Sequence, residues 1–312
     1  MSNGVEPKRT VKMDRIGFLG LGTMGGPMAR NILRKGYVVK GFDLNPAAIE
    51  AHVAAGGEAA RSLSDVAEGA DVVITMLPDG PDVEKAVLGE GGLIHVMKPG
   101  SVLIDMSTID PAVTRRVGAA LAAKGIVMVD SPVGKTVDHA IAGTLTLMVG
   151  GDTAAIERVR PILHCMGADL FHCGALGMGE ALKLTNNFLA ATILSATTEA
   201  LVMGTKAGLS LELMTDVMRT TMAWNNQLAV ALPKKGLSGD FSAGFMVKLG
   251  EKDQRLAIAM GEALGVETPV GAAAHATLRE AKNSGLADLD VTSILRLREE
   301  KAGVTVRMKQ GV

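Results

Sequence analysis

The sequence predicts an α/β Rossmann-type architecture, a doubly wound and mostly parallel sheet followed by a long linking helix and an all-α C-terminal domain. Three observations predict it. Short apolar runs alternate with amphipathic stretches through the first half of the 312 residues. A glycine-rich turn, Gly20-Leu21-Gly22-Thr23-Met24-Gly25, stands directly behind the first apolar run. From Glu180 to about Lys206 no proline interrupts an apolar spacing that is helical throughout. The domain bounds read as a tail over 1–13, a dinucleotide-binding domain over 14–177, a linking helix over 178–206 and a helical domain over 207–312.

Element by element, strands are expected at Ile16–Leu19, Val38–Phe42, Val72–Thr75, Val102–Ile104 and Val127–Val129. Helices are expected between them at Met24–Lys35, Ala47–Ala55, Asp82–Val87 and Pro111–Ala123. Asp110-Pro111 opens the last of these with a capping side chain and a proline in the first turn. Leu145–Val149 and Leu170–His172, flanking a helix over Ala154–His164, extend the sheet. A helix of ~25 residues is about 40 Å long at 1.5 Å per residue, enough to link two domains. Beyond it helices are expected over Leu211–Thr220, Asn225–Leu232, Val247–Leu264, Val270–Asn283 and Val291–Glu300, separated by Gly and Pro breaks.

The glycine turn carries chemistry because of its context. It sits between a strand and a helix, and Asp43 closes the second strand at the distance a dinucleotide-binding fingerprint requires. Gly20 permits the bend, Gly22 lets a pyrophosphate approach the backbone, and Gly25 lets helix and sheet pack closely. Free N–H groups at the helix start, aided by its dipole, hold phosphate charge. Asp43 accepts from the ribose hydroxyls and repels a 2′-phosphate, and Leu44-Asn45 supply no arginine for one. The expected cofactor is NAD(H) rather than NADP(H).

Composition excludes other classes. With 32 basic and 33 acidic residues there is no net pull toward nucleic acid or anionic membranes. No uninterrupted apolar run approaches the ~18 residues of a membrane span. The first residues, with Lys8, Arg9 and Lys12, lack an apolar signal core, so a cytoplasmic location is expected. Cys165 and Cys173 then read as free thiols. The run His164-Cys165…His172-Cys173 fits no zinc spacing, so no metal is expected.

Ligands of such sheets bind beyond the carboxyl ends of the strands. Two loops lie there: Met76-Leu77-Pro78, on the adenosine side, and Met106-Ser107-Thr108, with hydroxyls near the nicotinamide. In the long helix, Lys183 and Asn187 are four apart and share a face, with Asn186 beside them. A lysine and two amides within an Ala-rich apolar helix are costly to bury without a task. One reading is a proton-transfer lysine whose pKa partial burial brings toward neutrality; a solvated helix face is equally open from spacing alone. Lys234-Lys235 reads as a helix-end pair complementing the dipole, and Arg307 with Lys309 is too sparse for a nucleic-acid patch. Met203, Met214, Met218, Met222 and Met246 read as packing residues, and Trp224 and Phe245 as either core or substrate lid.

These residues also carry a resemblance. The segments GFLGLGTMGGPMARNI, TMLPDG, IDMSTIDP, DSPV…GTLTLMVGG, GEALKLTNN and FMVKLGEKD, running in that order from Arg15 to the last helices, resemble the β-hydroxyacid dehydrogenase family. The resemblance implies that Lys183 is the catalytic lysine and Asn187 its companion. It implies that Thr23, Met24, Asp43, Leu77 and Thr108 contact the cofactor, and that Lys252, of the pair Lys252-Asp253, reaches toward it. One loop departs from the family's Pro-Val-Ser-Gly-Gly: here Pro132-Val133-Gly134-Lys135-Thr136 loses the serine and gains a cation. That loop is similar to the Gly-Arg-Thr of the 3-sulfolactaldehyde reductase subgroup. Two differences remain: Lys135 is a point charge in place of arginine's planar fork, and Ala190 stands where a serine is expected.

The resulting expectation is an NADH-linked reductase of a small anionic aldehyde. Lys183 is its general acid/base, Asn187 its orienting partner, and Gly134, Lys135, Thr136, Asn186 and Ser107 bind substrate. 3-Sulfolactaldehyde is the first substrate expected, with succinate, methylmalonate or tartronate semialdehyde as the alternative. The alternative of another class is a catalytically silent NAD-binding module, against which the presence of Lys183 speaks. A homodimer or homotetramer is implied by the resemblance alone.

Overall fold

The computed structural model describes residues 15–308. The expected tail 1–13 and Lys309 lie outside the described residues. The chain forms two compact units: one comprises the residues up to Ser107 together with Ala112–Gly179, the other Thr108–Pro111 with Glu180 onward.

The first unit is built on one sheet. Its strands are β1 (Arg15–Leu19), β2 (Val38–Phe42), β3 (Glu58–Ala59), β4 (Val72–Thr75), β5 (Val102–Asp105), β6 (Val127–Asp130), β7 (Val133–Gly134), β8 (Leu145–Gly150) and β9 (Gly167–Gly174). Their order is β3-β2-β1-β4-β5-β6-β8-β7, with β9 also paired to β8. The pairs from β3 to β6 are all parallel, while β6–β8 and β7–β8 are antiparallel and β8–β9 is parallel again. The central strands β4 and β5 are buried along their whole length. That explains their continuous Val/Ile/Leu runs: a parallel strand covered on both faces has no polar side to alternate with.

Among the described residues seven α-helices accompany the sheet, α1 (Gly25–Arg34), α2 (Pro46–Ala54), α3 (Leu63–Ala67), α4 (Gly80–Leu88), α5 (Pro111–Ala122), α6 (Val137–Ala142) and α7 (Thr153–Met166), with a 3-10 turn at Leu93–His95. Their starts follow capping chemistry. Asn45 accepts from Ala47 N, Ser62 from Asp65 N, Asp79 from Gly80 N and Asp152 from Ala155 N. The core joins Ile16, Phe18, Val72, Ile74, Val102, Ile104 and Val129 of the sheet to Met28, Ala29 and Ile32 of α1 and to Ile156, Val159 and Ile162 of α7. The short elements β3, α3, β7 and α6 are absent from the sequence expectation, because pieces of two to six residues leave too little periodicity to read.

The second unit is helical. It holds nearly all of α8 (Met178–Lys206), then α9 (Leu211–Arg219), a π-type turn at Gln227–Ala231, α10 (Leu232–Lys234), α11 (Val247–Ala263), α12 (Pro269–Ala281), a second π-type turn at Lys282–Leu286 and α13 (Ile294–Ala302). Its main core gathers Leu194, Leu201 and Val202 of α8 with Leu228, Leu232, Val247, Leu278, Ile294 and Leu295. Met214 belongs to that core, with Met218 and Trp224 packed against it, whereas Met203 and Met222 are exposed; their expected packing role is corrected. Phe188 of α8 lies against α12 so closely that a methyl group on Gly271 would collide with its ring.

One expectation about the membrane needs amending. Taken by length and composition alone, α8 is apolar enough to cross a bilayer, although charged and amide residues interrupt its apolar run. Leu184, Leu194 and Leu201 of that helix are buried in the helical unit's own cores.

Candidate active site

The turn after β1 behaves as its glycines require. Gly20 has φ of +94°, and a side chain there would strike the Met76 carbonyl; one on Gly25 would strike the Gly20 carbonyl. Around Gly22, by contrast, an added Cβ meets nothing within 4 Å. Two glycines therefore serve close packing, and the third leaves open space beside the start of α1, the clearance that a pyrophosphate approaching the backbone requires. Thr23 is exposed at this turn and Met24 precedes the helix. Asp43, at the end of β2, is half-buried; its Oδ2 accepts from Leu21 N at 2.7 Å and its Oδ1 from Asn45 N at 2.8 Å. The residues present fit a dinucleotide.

Beyond β4 and β5 the two expected loops are joined by one network. Asp105, fully buried, receives on Oδ1 the hydroxyls of Thr75 at 2.9 Å and Ser107 at 2.6 Å, and Ser107 N at 3.1 Å. Ser107 Oγ in turn accepts from Leu77 N at 2.9 Å. This corrects the expectation for Ser107. Its hydroxyl is wholly enclosed and engaged on both sides, so it supports the loop and leaves nothing for a substrate. Pro78, after Leu77, is exposed. Asp105 was not singled out in the sequence; its signal is an acid ending a buried strand two residues before a serine. Asp130 ends β6 in the same way and stands opposite Asp105 in the register. Its Oδ1 accepts from Gly177 N at 2.7 Å.

The anion loop follows β6. Lys135 is the described non-glycine residue with positive φ, at 78°. Its ammonium donates to Thr144 O at 2.8 Å and to Asp169 Oδ2 at 2.9 Å, in a partly exposed ion pair. Thr136 Oγ1 lies 3.0 Å from His139 Nδ1. Gly134 pairs with Thr146 in the short ladder between β7 and β8.

In the helical unit, Lys183 is buried, and that burial lowers its pKa below the ordinary lysine value. Asp253 and Glu180 oppose the shift as nearby anions, while Lys252 reinforces it. Asn187 donates from Nδ2 to Asp253 Oδ2 at 2.6 Å, and Asn186 donates to Asn187 Oδ1 at 3.0 Å. Lys252 Nζ donates to Thr108 O at 2.6 Å and lies 3.3 Å from Asp253 Oδ1. Lys183, Asn186, Asn187, Lys252 and Thr108 are thus gathered in one unit around Asp253, the hub that sequence reading named without a role. Its signal was the charged pair in an otherwise buried helical face. A chain of this kind can hold an amine of lowered pKa beside an oriented amide, the equipment of general acid–base catalysis.

Trp224 packs against the helical core, and Arg219 lies over its ring at 5.0 Å. Cys165 and Cys173 are both free. Their thiols donate to Pro161 O and Phe171 O respectively, at 3.3 Å each.

Fold and glycine turn together define a nicotinamide-dinucleotide-linked oxidoreductase. Comparison with known proteins narrows this. Residues 15–174 match the model of the NAD-binding domain of 6-phosphogluconate dehydrogenase, and residues 177–298 that of the NAD-binding region of NADP-dependent 3-hydroxyisobutyrate dehydrogenase. An NAD-dependent L-serine dehydrogenase of Pseudomonas aeruginosa is 40% identical over 297 residues, spanning 93% of this chain and all of the relative. A 3-sulfolactaldehyde reductase of Escherichia coli is 37% identical over 297 residues, spanning 95% of this chain and all of the relative. A solved Mycobacterium tuberculosis 3-hydroxyisobutyrate dehydrogenase with L-serine superposes with a TM-score of 0.85 at 36% identity, over 91% of this chain and 99% of that one. The chain belongs to the β-hydroxyacid dehydrogenase family, and it is an oxidoreductase acting on CH–OH groups with a nicotinamide cofactor.

Proposed function

We propose that this protein is an NADH-linked reductase of a short anionic aldehyde, with 3-sulfolactaldehyde as the substrate to test first. The observation that carries the reaction is Lys183: a buried lysine with lowered pKa, one helical turn from an amide held by Asp253. When bound, the cofactor supplies the hydride. Lys183 donates the proton to the oxygen of the developing alkoxide, and accepts it in the oxidising direction. Asn187, its Nδ2 committed to Asp253, presents Oδ1 toward Asn186 and keeps the polar face of α8 in one arrangement. Proton transfer by a positioned group is typically worth about 10²–10⁴-fold in rate. A catalytically silent module has no use for so costly a buried amine.

Lys135 supports the substrate reading. A lysine in left-handed backbone costs about 1–3 kcal/mol where glycine would sit without strain. Its ion pair with Asp169 is partly exposed, and such pairs contribute about 0–1 kcal/mol. A substrate acid group can therefore displace Asp169 at little cost, with Gly134 and Thr136 as further members of the anion site. A sulfonate, with three acceptor oxygens, suits such a cation. Asp43 favours NAD(H), Thr23, Met24, Leu77 and Pro78 complete the cofactor site of the first unit, and a cytoplasmic homo-oligomer belongs to the same reading.

The second reading, oxidation of a carboxylate 3-hydroxy acid or reduction of its semialdehyde, is favoured by the relatives named for L-serine and 3-hydroxyisobutyrate. The test compares kcat/KM for sulfolactaldehyde with those for succinate, methylmalonate and tartronate semialdehydes, and for L-serine in reverse. A carboxylate preferred over the sulfonate refutes the first substrate while leaving the reaction class in place.

A further inference from the structure

We propose that Asp105 is a positioning residue for the cofactor: through Ser107 it ties the loops leaving β4 and β5 to one carboxylate and so sets where the Leu77 backbone stands. Oδ1 of Asp105 collects three donors, the hydroxyl of Thr75 on β4 and the hydroxyl and N–H of Ser107 beyond β5. The Ser107 hydroxyl has one proton, given to Asp105, so its lone pairs face Leu77 N, which donates to it at 2.9 Å. The link is directional: only an acceptor at position 105 turns the serine so that it receives the Leu77 amide.

Packing alone does not account for an acid at this position. Oδ2 of Asp105 has no hydrogen-bond partner among the described residues. Desolvation pushes the carboxyl's pKa up, and the charge of Asp130, its neighbour in the strand register, pushes the same way. A buried carboxyl with an idle oxygen is costly, whereas an aliphatic side chain here would extend the Val102-Leu103-Ile104 core without that cost. The carboxyl earns its place through the geometry of the two loops, at the end of the sheet where dinucleotides bind.

The inference rests on the reading that Leu77 faces the cofactor, and the test separates the two. NADH affinity of the full chain is measured by fluorescence titration, with thermal melts to confirm that each variant is folded at the temperature used. Ser107→Ala leaves the Leu77 amide without its acceptor and is expected to weaken NADH binding about five- to thirtyfold. Asp105→Asn keeps an acceptor at Oδ1 and is expected to retain most of the affinity. Asp105→Ala is expected to match Ser107→Ala, and the double variant to be no worse than either, as for two members of one chain. Folded Ser107→Ala protein with NADH affinity within twofold of the parent overturns the proposal, even if its melting temperature falls. Leu77→Asp separates the premise: undiminished NADH binding in that variant removes Leu77 from the cofactor site and the proposal with it. Loss in Leu77→Asp with none in Ser107→Ala overturns the Asp105 role alone.

Discussion

Replacing Lys183 by methionine separates the chemical step from the fold. Methionine fills the same unbranched volume, so no cavity opens and the packing around Leu184 is kept. The proton donor disappears, and with it the ~10²–10⁴-fold that general acid catalysis supplies, equivalent to about 3–5.5 kcal/mol of barrier. Stability is expected to move the other way. Burial lowers the pKa of Lys183, so the folded protein binds fewer protons there than the unfolded chain between the two values. Stability therefore rises with pH through that window, and below the folded value the cost of the buried ammonium is complete. Methionine removes the cost, so Lys183→Met is expected to melt no lower than the parent near neutral pH.

The assay is single-turnover oxidation of NADH with the preferred aldehyde, followed by absorbance across a pH series, alongside calorimetric melts. In the parent, the reductive rate falls as pH rises through the folded-state pKa of Lys183, below the usual lysine range, and the oxidative rate rises over the same interval. The methionine variant is expected to show neither limb. Lys183→Arg keeps the charge but holds its proton at every working pH, and is expected to fail in the oxidative direction in particular. A methionine variant turning over within tenfold of the parent, with the pH limbs intact, would refute the assignment.

Three further outcomes are expected. Asp43→Asn keeps an acceptor for Leu21 N but removes the charge; the ratio of kcat/KM for NADPH to that for NADH should rise about tenfold or more, and an unaltered ratio speaks against Asp43 as the selector. Gly25→Ala drives a methyl group into the Gly20 carbonyl; overpacking of this kind costs about 1–3 kcal/mol, so both melting temperature and NADH affinity should drop, and a variant unchanged in both contradicts the close-packing role. Lys135→Met should reduce kcat/KM for the anionic aldehyde about tenfold while changing the melting temperature little, since the pair with Asp169 is exposed; equal kcat/KM values in parent and variant would take Lys135 out of the substrate site.

Much of the architecture was legible along the chain because it rests on local periodicity. The strands β1, β2, β4, β5 and β6 announce themselves as short apolar runs, uniform in β4 and β5 because both faces of the parallel sheet are covered there. The glycine turn is legible because, within six residues, Gly20 and Gly25 each answer a close backbone approach while Gly22 leaves open space. Lys183, Asn186 and Asn187 stand out as polar groups in an apolar helix, but spacing leaves a solvated face equally open, and of the three only Lys183 is buried in the fold. Short pieces such as β3 and β7 do not: two residues have no period.

What the sequence by itself determined is therefore the class of fold and the glycine turn in its strand–helix context, with Lys183 singled out as the candidate proton-transfer group. Only the tertiary structure decided what those groups are bonded to. Ser107 reads as a free hydroxyl in the chain, yet Asp105, two residues away, takes its proton and the Leu77 amide, thirty residues away, donates to its oxygen. Lys135 reads as a free cation, yet Asp169, thirty-four residues on, pairs with it once β8 and β9 align. Asp253 lies sixty-six residues from Asn187 and becomes its partner only when α8 and α11 belong to one unit. Periodicity reports which face of an element is apolar, a property of neighbours in the chain. Hydrogen-bond partners and burial depend on which distant segments arrive beside a side chain, and folding alone supplies that.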